Sequence, residues 1–249
     1  MQTMQTKAKT VLWILAVYIF SFVCYVPMML KQLGIRIPDV LLYLKYCFVL
    51  VPALISVIVS IHEHNLKTYF THNLKKISLK ELIICIVIAL LGVLITYCYS
   101  FVKRIELFGN AYSSIFSLVI GVAYLFATAL VEEIAWRGFL FKRIADGGKR
   151  GSLQVRAAAF VGIIWAIWHI PMWLIRNSLS LAEMLPLFIW AVLISIVLGM
   201  LYCRFRNIFS VSLLHMIFNI CFLAPTGYNI IMIFLGIIIL QILLGRKNN

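Results

Sequence analysis

The stretch that decides the fold is SSIFSLVIGVAYLFATALVEEIAWRGFLF, residues 113–141. From Ser113 to Val131 it carries no charged side chain, and an α-helix needs about 20 such residues to cross a hydrocarbon core about 30 Å thick. A helix apolar on every side has no face for water, so it belongs inside a large core or a bilayer. Glu132, Glu133 and Arg137 then interrupt the run, with apolar residues before and after them.

Outward from this run the pattern repeats. Apolar stretches at 11–30, 39–61, 81–101, 113–141, 156–175, 182–203, 207–224 and 228–244 are candidate spans. The chain is 64% hydrophobic and 12% charged, whereas a soluble domain is nearer half apolar and a quarter charged. No internal repeat or low-complexity segment interrupts the series. The expectation is an all-α, polytopic membrane protein of about eight transmembrane helices, with residues 1–249 forming a single transmembrane domain.

The net charge of +14 raises nucleic acid as a partner, but the basic residues lie in short clusters between apolar runs. That is how membrane topology is written, and nucleic-acid binding is set aside. Of 22 Lys and Arg, 15 fall in the N-terminal tail, the 62–80, 142–156 and 204–206 connections and the C-terminal end. Five fall on the other side (Lys31, Arg36, Lys103, Arg104, Arg176), and Lys45 and Arg137 lie within runs. The bias predicts both termini in the cytoplasm. The first run is too long for a signal-peptide h-region and lacks a small-x-small cleavage site, so it reads as a retained span. The six cysteines show no C-x-x-C and sit in or beside apolar runs, where they behave as small hydrophobes.

Ionisable groups inside a span are costly, and each is a functional candidate. Glu133 and Arg137 are four apart and can pair on one helix face, acid first. Glu132 lies about 100° around the helix and is free to face another neighbour. The fifth run holds Trp165 and His169 on one face, with Pro171 able to bend the helix beside them. Its tryptophans read as packing or interface aromatics. The seventh run places His215 and Asn219 four apart, and an Asn can equally bridge membrane helices without chemistry. Depth joins the three: at 1.5 Å per residue from the nearest basic residue, Glu132, His169 and His215 lie about 15, 20 and 14 Å in. A carboxylate, two imidazoles and an amide can therefore meet near the bilayer middle.

These residues carry a resemblance. E-E-x-x-x-R at Glu132, Glu133 and Arg137, an F-x-x-x-H-like W-x-x-x-H at Trp165 and His169, and H-x-x-x-N at His215 and Asn219 resemble the three motifs of the CPBP family (CAAX prenyl protease or Abi) of intramembrane proteases. They fall in order within a core of about 125–225, and Trp165 stands where that family usually has phenylalanine. The resemblance implies peptide-bond hydrolysis in the membrane, with Glu132 as general base aided by His169. Glu133 and Arg137 give electrostatic support, and His215 and Asn219 serve as oxyanion donors. No cofactor is firmly implied. The alternative is a zinc ion held by Glu132, His169 and His215, with water in the open position. His62, Glu63, His64 and His72 form another potential metal cluster, but they lie in a basic loop and read as solvated or as headgroup contacts.

The expected partners are a hydrophobic peptide or membrane-anchored protein as substrate, and the lipid bilayer. The short chain looks like the bacterial branch, a multi-pass protein of the bacterial cell membrane, with peptide-signal maturation or bacteriocin self-immunity as roles implied by the resemblance. The competing class is a non-enzymatic membrane scaffold or immunity protein that keeps the protease fold. Lys45 is expected to snorkel to the nearer interface, away from the site.

Overall fold

The computed structural model describes residues 2–74, 76–87, 115–145 and 152–222, with positions 90 and 94. The expected eighth run, 228–244, and most of the third, 81–101, lie outside the described residues, as do the C-terminal basic residues used in the topology count. All regular structure among the described residues is helical. Helix α1 covers Gln2–Gln32, α2 Val51–His62 and α3 Leu66–Asn73. Helix α4 covers Ile115–Ala135, α5 Ser152–Pro171, α6 Leu181–Phe205 and α7 Ile208–Phe222.

Among the described residues, five segments are long and apolar enough to cross a membrane: Lys7–Gln32, Asp39–His62, Ile115–Ala145, Leu153–Arg176 and Leu181–Phe205. They correspond to the expected first, second, fourth, fifth and sixth runs. The protein is an all-α, multi-pass membrane protein. The second span is not one α-helix: it enters as two 3-10 segments, Asp39–Tyr46 and Phe48–Leu50, before α2. The seventh run forms a shorter apolar helix, Ile208–Ile220 by its hydropathy, which packs against α4 and α6.

The outer surface is apolar. Ile115 and Phe116 of α4 are 82% and 71% exposed, and Leu12, Ile19, Ile58 and Leu185 also point outward. The interior instead holds tryptophans and nearly every buried charge, an arrangement suited to lipid as solvent. Helix association there depends on close packing and interhelical hydrogen bonds. Helices α5 and α6 approach closely at small residues. A Cβ on Gly162 would lie 2.7 Å from the Ser195 Cβ and 2.9 Å from the Val192 Cα, and one on Gly199 would lie 2.6 Å from the Ala158 Cβ. The Ser195 hydroxyl donates across this seam to the Ala158 carbonyl at 2.8 Å. The turn from α6 to α7 is equally defined: Arg206 closes α6 at φ 52°, and the Asn207 side chain accepts from the Phe209 N–H at 3.1 Å.

The N-terminal helices clamp the motif-bearing ones through polar contacts. The Tyr18 hydroxyl donates to the Ile164 carbonyl at 3.0 Å, and Trp168 Nε1 donates to Ser21 Oγ at 2.8 Å. From α3, the Tyr69 hydroxyl donates to the Ile134 carbonyl at 2.5 Å. Near the basic end, Glu63 pairs with Arg143 and lies 3.7 Å from Lys9. Glu63 thus joins three segments, while the side chain of His72 lies outside the described residues.

Candidate active site

Two irregular turns set the site. Helix α4 passes directly into a π-helical segment, Trp136–Phe141, immediately after the acidic pair. Helix α5 does the same at Met172–Arg176, just beyond Pro171. Pro171 has no N–H to continue the α-helical ladder, which gives a local reason for the second change of register. Wider π turns of this kind occur often at functional sites because they re-aim side chains.

The two adjacent glutamates do different things. Glu133 is fully buried, and its Oε1 accepts from Arg137 Nη1 at 2.7 Å and from His215 Nδ1 at 2.8 Å. One carboxylate oxygen therefore ties α7 to the π segment of α4. The expected Glu133–Arg137 pair is present, and His215 is a partner of it that the sequence spacing did not reveal. Arg137 also lies 5.2 Å from the Trp165 ring centre, a cation–π distance.

Glu132 turns the other way and lines an open cavity of about 330 Å³. Its Oε2 accepts from Trp165 Nε1 at 2.9 Å. This corrects the reading of Trp165 as a packing aromatic: indole is a donor only, and here its one N–H goes to the candidate base. Trp168 is corrected likewise, since its N–H is bound by Ser21 while its ring stacks on Phe48 at 4.0 Å.

The cavity brings together Glu132, His169, His215 and Asn219, the four residues singled out from three separate helices. Each imidazole is fixed through Nδ1. His169 Nδ1 faces the Trp165 carbonyl at 2.8 Å, and a carbonyl can only accept, so this nitrogen carries the hydrogen. His215 Nδ1 is directed at the Glu133 carboxylate in the same sense. In both rings Nε2 is then the acceptor when the ring is neutral. Trp165 packs edge-on to both, at 5.1 Å each, and Trp173 stacks on His169 at 5.5 Å.

Among the described residues no three His, Cys, Asp or Glu side chains stand together as a ligand set. Lys45 is a further correction: it lines the same cavity as Glu132 instead of standing apart from it. Arg176 and Tyr25 line it too, and neither was singled out. Their common signal, polar groups at the same end of several spans, exists only once the spans are assembled.

Residues 114–221 match the family model described as Type II CAAX prenyl endopeptidase Rce1-like. The matched segment runs from α4 to α7 and contains E-E-x-x-x-R, W-x-x-x-H and H-x-x-x-N in that order. A search of curated proteins finds no match. Through the segment that builds this cavity, residues 114–221, the chain is similar to the CAAX-type intramembrane proteases.

Proposed function

We propose that the protein is an intramembrane endopeptidase in which Glu132 activates a water against a peptide bond of a hydrophobic peptide or membrane-anchored protein. The observation that supports it is the convergence of Glu132, His169, His215 and Asn219 on one open cavity, with the carboxylate and both imidazoles held by fixed partners. Pre-positioned groups are what a hydrolytic site requires.

In this mechanism Glu132 takes a proton from water as the oxygen attacks the scissile carbonyl carbon. His169, through its free Nε2, accepts a hydrogen bond from the same water and orients it. The tetrahedral oxyanion is met by the Asn219 amide N–H. His215 adds a second donor there only as the imidazolium, because its Nδ1–H is already committed to Glu133. Collapse breaks the C–N bond, and the proton held by Glu132 passes to the departing amine. Glu133 and Arg137 are positioning residues: they hold His215 and the helix turn that carries Glu132.

The competing reading is a scaffold or immunity protein without chemistry. The Glu133–Arg137–His215 cluster suits it as well as it suits an enzyme, since that cluster is buried and ties helices together. Glu132 separates the two, because it lines the cavity beside both imidazoles and is bound only by the Trp165 N–H, whereas Glu133 is enclosed between Arg137 and His215. Peptide-signal maturation or bacteriocin self-immunity are the roles we favour for the activity.

The test is cleavage of an apolar membrane peptide by the purified wild type and by Glu132→Gln, matched for folding, with and without a strong chelator. Loss of cleavage by at least about 100-fold in the variant is expected for a group acting in the transition state. Equal cleavage by the folded variant would overturn the mechanism. Loss of activity to the chelator alone would move the chemistry to a metal.

A further inference from the structure

A helix changes from α to π register for a local cause: a proline, or a side chain that enters its hydrogen-bond ladder. Pro171 is that cause for the π turn after α5. The π turn after the acidic pair, Trp136–Phe141, contains no proline. At its start stands a side chain from another helix. The Tyr69 hydroxyl of α3 donates at 2.5 Å to the carbonyl of Ile134, two residues before the turn begins. Tyr69 is buried, with its ring edge-on to Phe139 of the turn at 6.3 Å. Burial pushes its hydroxyl well above the ordinary range, so it stays protonated and remains a donor.

The far end of the same turn is held from the same place. Arg143, two residues beyond Phe141, pairs with Glu63, and its guanidinium lies 4.2 Å from the Phe139 ring centre. Glu63 in turn accepts from Asn65 Nδ2 at 3.2 Å, in the tight turn where His64 takes φ 54° and the chain enters α3. The Tyr69 N–H donates to the Asn65 carbonyl at 2.8 Å, which joins the two grips into one short piece of chain. Residues 63–69 therefore hold the π turn before it and after it. They lie outside the matched segment, 114–221.

Register through this turn decides where the glutamates face. Each helical residue turns about 100°, so a slip of one residue between the held ends would rotate the acidic pair by about that much against Arg143. It would take Glu133 from His215 Nδ1 and Glu132 from the Trp165 N–H. We infer that Tyr69 is a positioning residue: its hydroxyl, with the Glu63–Arg143 pair, keeps the π turn in the register that sends Glu132 to the cavity and Glu133 to His215. The inference rests on the protease reading for its effect on turnover, but not for its effect on the Glu133–His215 bond.

The experiment uses the full chain in phosphatidylcholine nanodiscs and compares wild type with Tyr69→Phe, which keeps the ring and removes only the donor. Two quantities are read: cleavage of an apolar membrane peptide, and the Nδ1–H proton resonance of His215 in chains carrying isotope-labelled histidine. That resonance is identified by its loss in His215→Gln. Tyr69→Phe is expected to lower kcat by at least about tenfold with KM little changed, as for a misplaced catalytic group. The His215 resonance is expected to move in the same variant. Replacing Tyr69 by para-aminophenylalanine, which restores a donor at the ring's end, should recover both. Ser195→Ala removes a hydroxyl from a carbonyl at the regular α5–α6 seam, and it is expected to lower the melting temperature while leaving kcat and the resonance unchanged.

A Tyr69→Phe chain that melts lower but keeps the wild-type kcat and resonance would make Tyr69 a packing residue and overturn the inference. If that variant is too unstable to purify, Glu63→Gln loosens the other end of the turn and carries the same two readouts, and an unmoved resonance there overturns the inference equally. Where wild type cleaves nothing, the resonance still decides. Its movement in Tyr69→Phe would keep the positioning role and remove the protease, and its constancy would remove the positioning role.

Discussion

At the scale of single residues, neighbouring side chains in one helix turn divide into separate duties. Glu132 and Glu133 differ by one position, yet one reaches the cavity and the other is enclosed. Glu132→Gln is therefore expected to leave thermal unfolding close to wild type while abolishing proteolysis. Glu133→Gln is expected to do the reverse first: it leaves Arg137 buried without its counter-charge, a loss of about 3–5 kcal/mol, visible as a lower melting temperature before any assay of activity. Trp165→Phe supplies a finer test. It keeps the ring and removes the N–H bound to Glu132, so kcat is expected to fall by about tenfold with KM little changed. A fall in stability without a fall in kcat would return Trp165 to a packing role.

At the scale of elements, the site depends on helices that carry none of its motifs. Ser21 of α1 satisfies the indole N–H of Trp168, next to His169. Ser21→Ala leaves that N–H unpaired in the interior, and a loss of about 1–3 kcal/mol is expected by thermal unfolding. The α5–α6 seam offers a compensation test. Gly199→Ala places a methyl 2.6 Å from the Ala158 Cβ, with no other contact nearer than 3.5 Å. Overpacking of this kind costs about 1–3 kcal/mol. Adding Ala158→Gly removes the one clashing atom and leaves the Ser195 bond to the Ala158 backbone intact. The double variant is expected to melt near wild type, and failure to recover would mean that the backbones themselves separate.

At the scale of the whole molecule, the open end of the cavity and the basic connections lie at opposite ends of the helices. Lys45, Arg176 and Asn177 are at one end, while Glu63, Lys9 and Arg143 meet at the other. If the basic end faces the cytoplasm, as the charge bias predicts, the cavity opens on the opposite face of the membrane. Asn177→Cys, in a chain freed of Cys47, is expected to react with a membrane-impermeant maleimide added outside intact cells. Arg143→Cys should react only after permeabilisation. The reverse pattern would invert the orientation.

The sequence by itself determined the fold class, since only a membrane protein can be this apolar between its basic clusters. It also determined the candidate residues, because a charge inside a span carries a cost that marks it. Helical spacing was enough for the Glu133–Arg137 pair, whose two members share one helix. The tertiary structure alone decided which groups answer each other across helices. His215 turns to Glu133, Trp165 to Glu132 and Trp168 to Ser21, and each of these depends on rotation of one helix against another, which an apolar sequence leaves open. Lys45 shows the same limit. Its depth was legible from its distance to the span end, but the direction it faces was fixed by the 3-10 turn and by the helices that close around it.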